Sequence, residues 1–193
     1  MIKKGLDDAE FLLMLEHLRA CDTHYSLIIQ LLVFTGFRTH ELWSLCVADV
    51  DLEKGRINLW RGAKGGQGRT LNLPLHFVQV LQHAIGDEVF NPDKRLISAL
   101  GWSGETENVE TFKAALRRAW GYHKKTVFGA RFKIGLHGLR HTYAMRFFKK
   151  YNDIIMLKHV LGHKSLASTQ RYVEYLQEEE LLERTRNLFD EVG

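Results

Sequence analysis

Residues 137–173 read HGLRHTYAMRFFKKYNDIIMLKHVLGHKSLASTQRYV, and three short segments within them concentrate polar, reactive side chains. HGLRHTYA (137–144) brings His137, Arg140 and His141 together, LGHKS (161–165) carries His163, and TQRYV (169–173) carries Tyr172. The stretch reads as helical, with Asp153 and Ser165 as expected N-caps and Gly162 as a C-cap. Each segment is weak alone. A His-x-x-Arg pair arises often by chance, and a tyrosine near a helix end is more often a core residue with a wet hydroxyl.

Toward the amino terminus two further segments join the set: TGFRTHELWSL (35–45), with Arg38 and Glu41, and GAKGGQGR (62–69), with Lys64. The first follows YSLIIQLLVF (25–34), apolar almost all round, which predicts a buried helix stopped by Gly36. That helix end delivers Arg38 and Glu41 to the start of a short helix, ELWSL. The second lies between two alternating runs, Ile57 with Leu59 and Leu71 with Leu73, and predicts a β-hairpin whose mobile, glycine-rich tip carries Lys64. Asp7 followed by Glu10 forms a capping box for a helix over about Asp8 to Ala20, with Phe11, Met14, Leu15 and Leu18 on its apolar face. Helical spacing returns at Phe77, Val80, Leu81, Ala84 and Ile85 before Gly86, and at Phe112, Ala115, Leu116 and Ala119. The expected class is α+β, mainly α with a small antiparallel β-sheet.

A chain of 193 residues with 45% hydrophobic content buries one good core, so residues 1–193 are expected to form a single domain. No apolar run reaches membrane-spanning length, and MIKKGLDDAE lacks the apolar stretch of a secretory signal. A soluble cytoplasmic protein with no membrane partner is expected. Cys21 and Cys46 have no metal-ligand spacing and read as reduced, structural thiols. The net charge of +4 is modest, but residues 113–150 hold 11 Lys/Arg and no Asp or Glu. Such a block repels itself unless it meets an anion, which points to a polyanion such as nucleic acid; the bland alternative is a solvated surface helix. Arg117, Arg118, Lys124 and Lys125 are expected to face that polyanion.

Taken together, the five segments resemble the signature of the tyrosine site-specific recombinases of the phage integrase family. That family places an Arg in TG-x-R-x-x-E-L, a Lys in a β-hairpin, a His-x-x-Arg pair, a His in L-G-H and a Tyr shortly afterwards. Here the positions are Arg38, Lys64, His137, Arg140, His163 and Tyr172, in that order, across residues 35–173. The resemblance implies the DNA breaking-rejoining catalytic-domain fold and site-specific recombination through a covalent 3′-phosphotyrosyl intermediate, independent of metal and ATP. It also implies no cofactor, a nucleoid-associated location, and a homo-oligomer, a tetramer, on DNA that is a monomer when free. Many members carry a helical core-binding domain ahead of the catalytic one; about 34 residues precede the first motif here, so that domain is expected to be absent from this chain.

The chemistry explains why these residue types are needed together. Negative charge builds on the non-bridging oxygens of a phosphodiester under attack, and preorganised cationic donors stabilise it. Arg38 and Arg140 present planar forks, and His137 and His163 add hydrogen bonds. Tyr172 must lose its proton as it attacks, which makes His137 the expected base, and Lys64 the expected donor to the departing 5′ oxygen. Glu41, three residues after Arg38, is expected to hold that guanidinium. His137 and His141 stand at a zinc-compatible i, i+4 spacing, but the glutamate of H-E-x-x-H is missing and Arg140 intrudes, so no metal is expected. His40, His76, His83, His123 and His159 read as surface or packing residues. Type IB topoisomerase chemistry is the alternative enzyme reading, and a non-catalytic DNA-binding accessory protein is another. After Tyr172, the residues Tyr175, Leu181, Leu182, Leu188 and Phe189 recur among Glu178, Glu179, Glu180 and Glu183. They predict an amphipathic acidic helix that docks on protein, either its own domain or a neighbouring subunit.

Overall fold

Capping and apolar spacing set the first helices. In the computed structural model, which describes residues 5–60, 68–103 and 108–187, with side chains as far as Glu178, helix α1 spans Asp8–Ala20. Asp7 Oδ1 accepts from the Glu10 amide at 2.9 Å and Glu10 Oε2 accepts from the Asp7 amide at 3.0 Å, closing the capping box. Its buried stripe is Phe11, Met14, Leu15 and Leu18. Helix α2, His24–Thr35, is buried over most of its circumference and ends at Gly36, whose φ of 62° is left-handed. A Cβ there would lie 2.5 Å from Cδ1 of Tyr143, so the glycine also permits close approach of a later helix. Helix α3 follows at Thr39–Ser44.

Strands β1 (Val50–Asp51), β2 (Arg56–Leu59) and β3 (Arg69–Asn72) form an antiparallel sheet in that order. The register sets Ile57 opposite Leu71, both buried, and Leu59 opposite Arg69. The expected hairpin is therefore present. Strand β1 escaped the sequence reading because two residues are too few to show an alternation. The hairpin tip, residues 61–67 with Lys64, lies outside the described residues.

Helix α4 (Leu75–Ile85) buries Phe77, Val78, Leu81 and Ile85. Val80, expected on that stripe, is exposed: at 100° per residue it lies farther round the helix from the centre of the face than Val78 does. Helices α5 (Leu96–Ala99), α6 (Val109–Phe128), α7 (Leu136–Tyr151), α8 (Ile154–Leu161) and α9 (Ala167–Asn187) complete the described chain. Asp153 caps α8 through the Met156 amide, and Gly162 closes it with φ 64°, both as expected. Ser165 does not cap α9. The amides of Thr169 and Gln170 bond to the Leu166 carbonyl, so the helix begins one residue later and Ser165 Oγ lies 3.1 Å from Ser168 Oγ instead. Tyr172 is inside α9, and the same helix continues without a break to Asn187, with neither Gly nor Pro among its residues. Tyr172 and the residues that follow it therefore share one helix.

The main core joins α1, α2, α4 and α6 around Phe77, Phe112 and Trp120. A smaller cluster of Ala144, Leu157, Leu161 and Tyr172 joins α7, α8 and α9, and a third sets Tyr175 and Leu176 against Met145. The two small clusters fix α9, and with it the tyrosine, on α7. Among the described residues no helix is long and apolar enough to cross a membrane.

Candidate active site

Four elements deliver side chains to one place. Arg38 precedes α3 as its N-cap residue, His137 and Arg140 occupy the first turn and a half of α7, His163 follows the glycine that ends α8, and Tyr172 stands in α9. Arg38, His137, Arg140, His163 and Tyr172, with His141 and Arg171, line a single cavity of about 430 Å³. Five of the six sequence-predicted residues are thus brought together, and Lys64 falls in the undescribed hairpin tip.

Arg140 is buried, and three of its donors are committed: Nη1 to the Gly36 carbonyl at 2.6 Å, Nη2 to the Leu161 carbonyl at 2.6 Å, and Nη2 to Nε2 of His163 at 3.0 Å. The left-handed ends of α2 and α8 therefore aim their last carbonyls at one guanidinium. Burial, then the charge of Arg38, pushes Arg140 down to about 10, with Glu41 acting in the opposite sense, and the group stays cationic at neutral pH. An arginine only donates, so Nε2 of His163 accepts, and the proton of the neutral ring sits on Nδ1, 3.0 Å from Thr169 Oγ1. Burial first, then Arg140 and Arg38, pushes His163 down to about 4. In this arrangement His163 orients Arg140 and cannot donate from Nε2 to a phosphate.

Glu41 is a buried hub. Its Oε1 accepts from Arg38 Nη1 at 3.0 Å and its Oε2 from the Arg38 amide at 2.8 Å. Arg69, from β3, adds a bidentate pair at 3.2 and 2.9 Å, and Arg140 Nη1 stands 3.7 Å away. Burial alone would raise this carboxyl, but the hydrogen bonds and charge of Arg69, with Arg38 and Arg140, hold it below the usual carboxylate range. Glu41 does hold Arg38, and it also ties the sheet to the site. Arg69 and Thr169 were missed by sequence reasoning; Arg69 closes the quoted segment GAKGGQGR, yet its burial depends on strand pairing.

Arg38 keeps about a third of its side chain exposed, 33%, which leaves it free to meet an incoming anion. Tyr172 packs between two histidines: its ring is parallel to that of His163 at 6.0 Å and 4.9 Å from that of His141, which in turn meets His137 edge-on at 4.8 Å. His137 reaches the rim with its surface exposed, while desolvation of the ring, then the charges of Arg140 and Arg38, lower its pKa below the ordinary histidine value.

A second cavity of about 600 Å³ adjoins the first through Arg38, His137 and Arg140. Lys113, Arg117 and Lys124 reach it from α6. Arg117 and Lys124 belong to the quartet expected to face DNA, and Lys113 lies outside that quartet. Arg118 and Lys125 are exposed and do not line it. His123, read as surface or packing, is buried and sits 3.0 Å from His17.

Residues 4–179 match the phage integrase family. Over 194 aligned residues the chain is 27% identical to tyrosine recombinase XerA of Pyrococcus furiosus, covering all of this chain and 65% of that protein. It is 31% identical to XerA of Saccharolobus solfataricus over 88% of this chain and 51% of the relative, and 27% identical to XerH of Helicobacter pylori over 86% and 44%. The chain thus spans about half to two thirds of the length of these relatives. Its fold is similar to a crystal structure of XerA recombinase (TM-score 0.69, 27% identity, 93% of this chain and 65% of the other). It is also similar to XerH bound to difH substrate in a pre-cleavage complex (TM-score 0.71, 25% identity, 92% and 52%). The mainly helical architecture with a small antiparallel sheet is that of tyrosine recombinase catalytic domains, as expected. On this evidence the chain belongs to the phage integrase family.

Proposed function

We propose that this chain is a recombinase catalytic domain that cuts and rejoins DNA strands through a covalent 3′-phosphotyrosyl link at Tyr172. The observation that carries the reading is the convergence of Arg38, His137, Arg140, His163 and Tyr172 on one cavity from four separate elements.

A phosphodiester in that cavity meets Arg38 directly, and the donors of Arg140 that Gly36, Leu161 and His163 leave over complete the positive environment of the non-bridging oxygens. The Tyr172 oxygen attacks phosphorus, the phenolic proton passes to neutral His137, and the bond to the 5′ oxygen breaks. Lys64 donates the proton that the 5′ oxygen takes up. One phosphoester replaces another of similar energy, so the reverse attack by a 5′ hydroxyl from the same or another duplex reseals the strand without ATP. The basic cavity lined by Lys113, Arg117 and Lys124 supports double-stranded DNA as the partner. Assembly as a tetramer on paired sites extends the same reading, with the distal part of α9 docked on its own domain or on a neighbouring subunit.

The test is a nicked half-site substrate drawn from the flanks of the chain's own gene. Wild type is expected to leave a covalent protein–DNA adduct, and Tyr172→Phe to bind DNA without forming one. An adduct that persists in Tyr172→Phe overturns the assignment.

A further inference from the structure

Away from the cleavage site, three metal-ligand side chains converge where α1 meets α6. His17 stands in the last turn of α1, Cys21 is the extended residue that caps the same helix, and His123 reaches them from the second half of α6. His17 Nε2 is 3.0 Å from His123 Nδ1 and 3.6 Å from Cys21 Sγ, and the three donor atoms all lie within 4.8 Å of one another. From these positions we propose that His17, Cys21 and His123 form a zinc site that clamps α1 onto α6. The proposal is independent of the recombinase reading.

A hydrogen-bonded histidine pair does not account for the cluster. Nε2 of His17 carries either one proton or one lone pair, so it cannot serve both His123 and Cys21 as a full partner. A cation between the three atoms engages all of them at once. With Zn–N near about 2.1 Å and Zn–S near about 2.3 Å, the edges of a tetrahedron are about 3.4 Å for N···N and about 3.6 Å for N···S. The observed 3.0 and 3.6 Å lie close to those edges, and the third edge, within 4.8 Å, closes by up to about 1.2 Å through side-chain rotation when the ion binds. Two imidazoles and a thiolate form a borderline-soft donor set that suits Zn²⁺ over Mg²⁺ or Ca²⁺. Cys21 and His17 are half-buried, and Cys21 lines an open cleft with Asp22, Gln30 and His76, which gives the ion an entry path and leaves the fourth position to water. None of the three lines either cavity at the candidate active site. The site therefore acts on the fold. It fixes α1 against the helix that carries Arg117 and Lys124.

The experiment uses the full chain, purified with chelator and reductant and then transferred to chelator-free buffer. Titration with Co²⁺ is expected to give a thiolate-to-cobalt charge-transfer band that saturates at one equivalent and is bleached by Zn²⁺. Zn²⁺ alone is expected to raise the melting temperature. His123→Gln alters a buried position, so the decisive variants are Cys21→Ser and His17→Gln, with circular dichroism to verify folding. Cys21→Ser is expected to abolish the band, and His17→Gln to weaken Co²⁺ binding at least about tenfold. Absence of the band in wild type overturns the site, as does a band that survives Cys21→Ser or a Zn²⁺-induced melting shift unchanged in both variants.

Discussion

Arg69 grips Glu41 through two hydrogen bonds, Nη1 to Oε1 at 3.2 Å and Nη2 to Oε2 at 2.9 Å, with both side chains buried. The pair joins β3 to the start of α3, and so couples the hairpin that carries Lys64 to the residue that holds Arg38. Replacing Arg69 by Leu strips Glu41 of its bidentate partner inside the protein. Breaking a buried pair by removing one partner costs about 3–5 kcal/mol, and the remaining bonds from Arg38 bring the expected loss to the lower end of that range. Arg69→Lys keeps the charge without the fork and is expected to fall between. Urea unfolding measures both, and a loss below about 1 kcal/mol in Arg69→Leu would show that Arg38 and Arg140 satisfy Glu41 alone.

The depressed pKa of His163 makes stability pH-dependent. Its folded value, about 4, lies below the ordinary 6.5, so the unfolded chain binds the proton more tightly. The stabilisation is complete above about pH 6.5 and is lost as pH falls toward about 4, at about 1.4 kcal/mol per pH unit for one proton. His163→Gln retains an acceptor for Arg140 and does not titrate, so its stability is expected to fall less steeply over that window, by about one proton. Parallel slopes for the variant and wild type in urea unfolding between about pH 7 and pH 4 would rule out a buried neutral His163.

At Gly36 the backbone and the site meet. Alanine there adopts φ 62° at a cost of about 1–2 kcal/mol, and its Cβ drives into the Tyr143 ring, 2.5 Å from Cδ1. The carbonyl of the same residue accepts from Arg140 at 2.6 Å. Gly36→Ala is expected to destabilise by about 2 kcal/mol or more and to slow adduct formation beyond what the unfolded fraction explains. Cleavage at the wild-type rate per folded molecule would show that Arg140 does not depend on this carbonyl.

The two halves of the basic quartet are expected to behave differently. Arg117 and Lys124 line the cavity beside Arg38, whereas Arg118 and Lys125 lie outside it. Replacing Arg117 and Lys124 together by Ala is expected to lower the slope of log K against log salt by up to about 1.8, two phosphate contacts' worth, on any DNA sequence. The Arg118 and Lys125 pair is expected to change it less. Equal effects in fluorescence-anisotropy titrations would mean that the DNA covers a wider face of α6 than this cavity.

Much of the local structure was legible in the residues because its causes are local. Capping at Asp7 and Asp153, the glycine stops at Gly36 and Gly162, and the alternation around Ile57 and Leu71 each depend on a few neighbouring positions. The order of the five quoted segments is a property of the chain as well, and with it the family. Contacts between distant residues were decided only by tertiary structure, since no sequence period reports them. Arg69 reaches Glu41 across 28 positions, Arg140 reaches Gly36 across 104, and His17 reaches His123 across 106. Those contacts decide which charges are buried and therefore held by partners. They make His163 a neutral acceptor for Arg140 although its residue type allows it to donate. They also turn Cys21 and His123, unremarkable in the sequence, into neighbours, because packing α1 on α6 is a matter of which apolar faces must be hidden from water together.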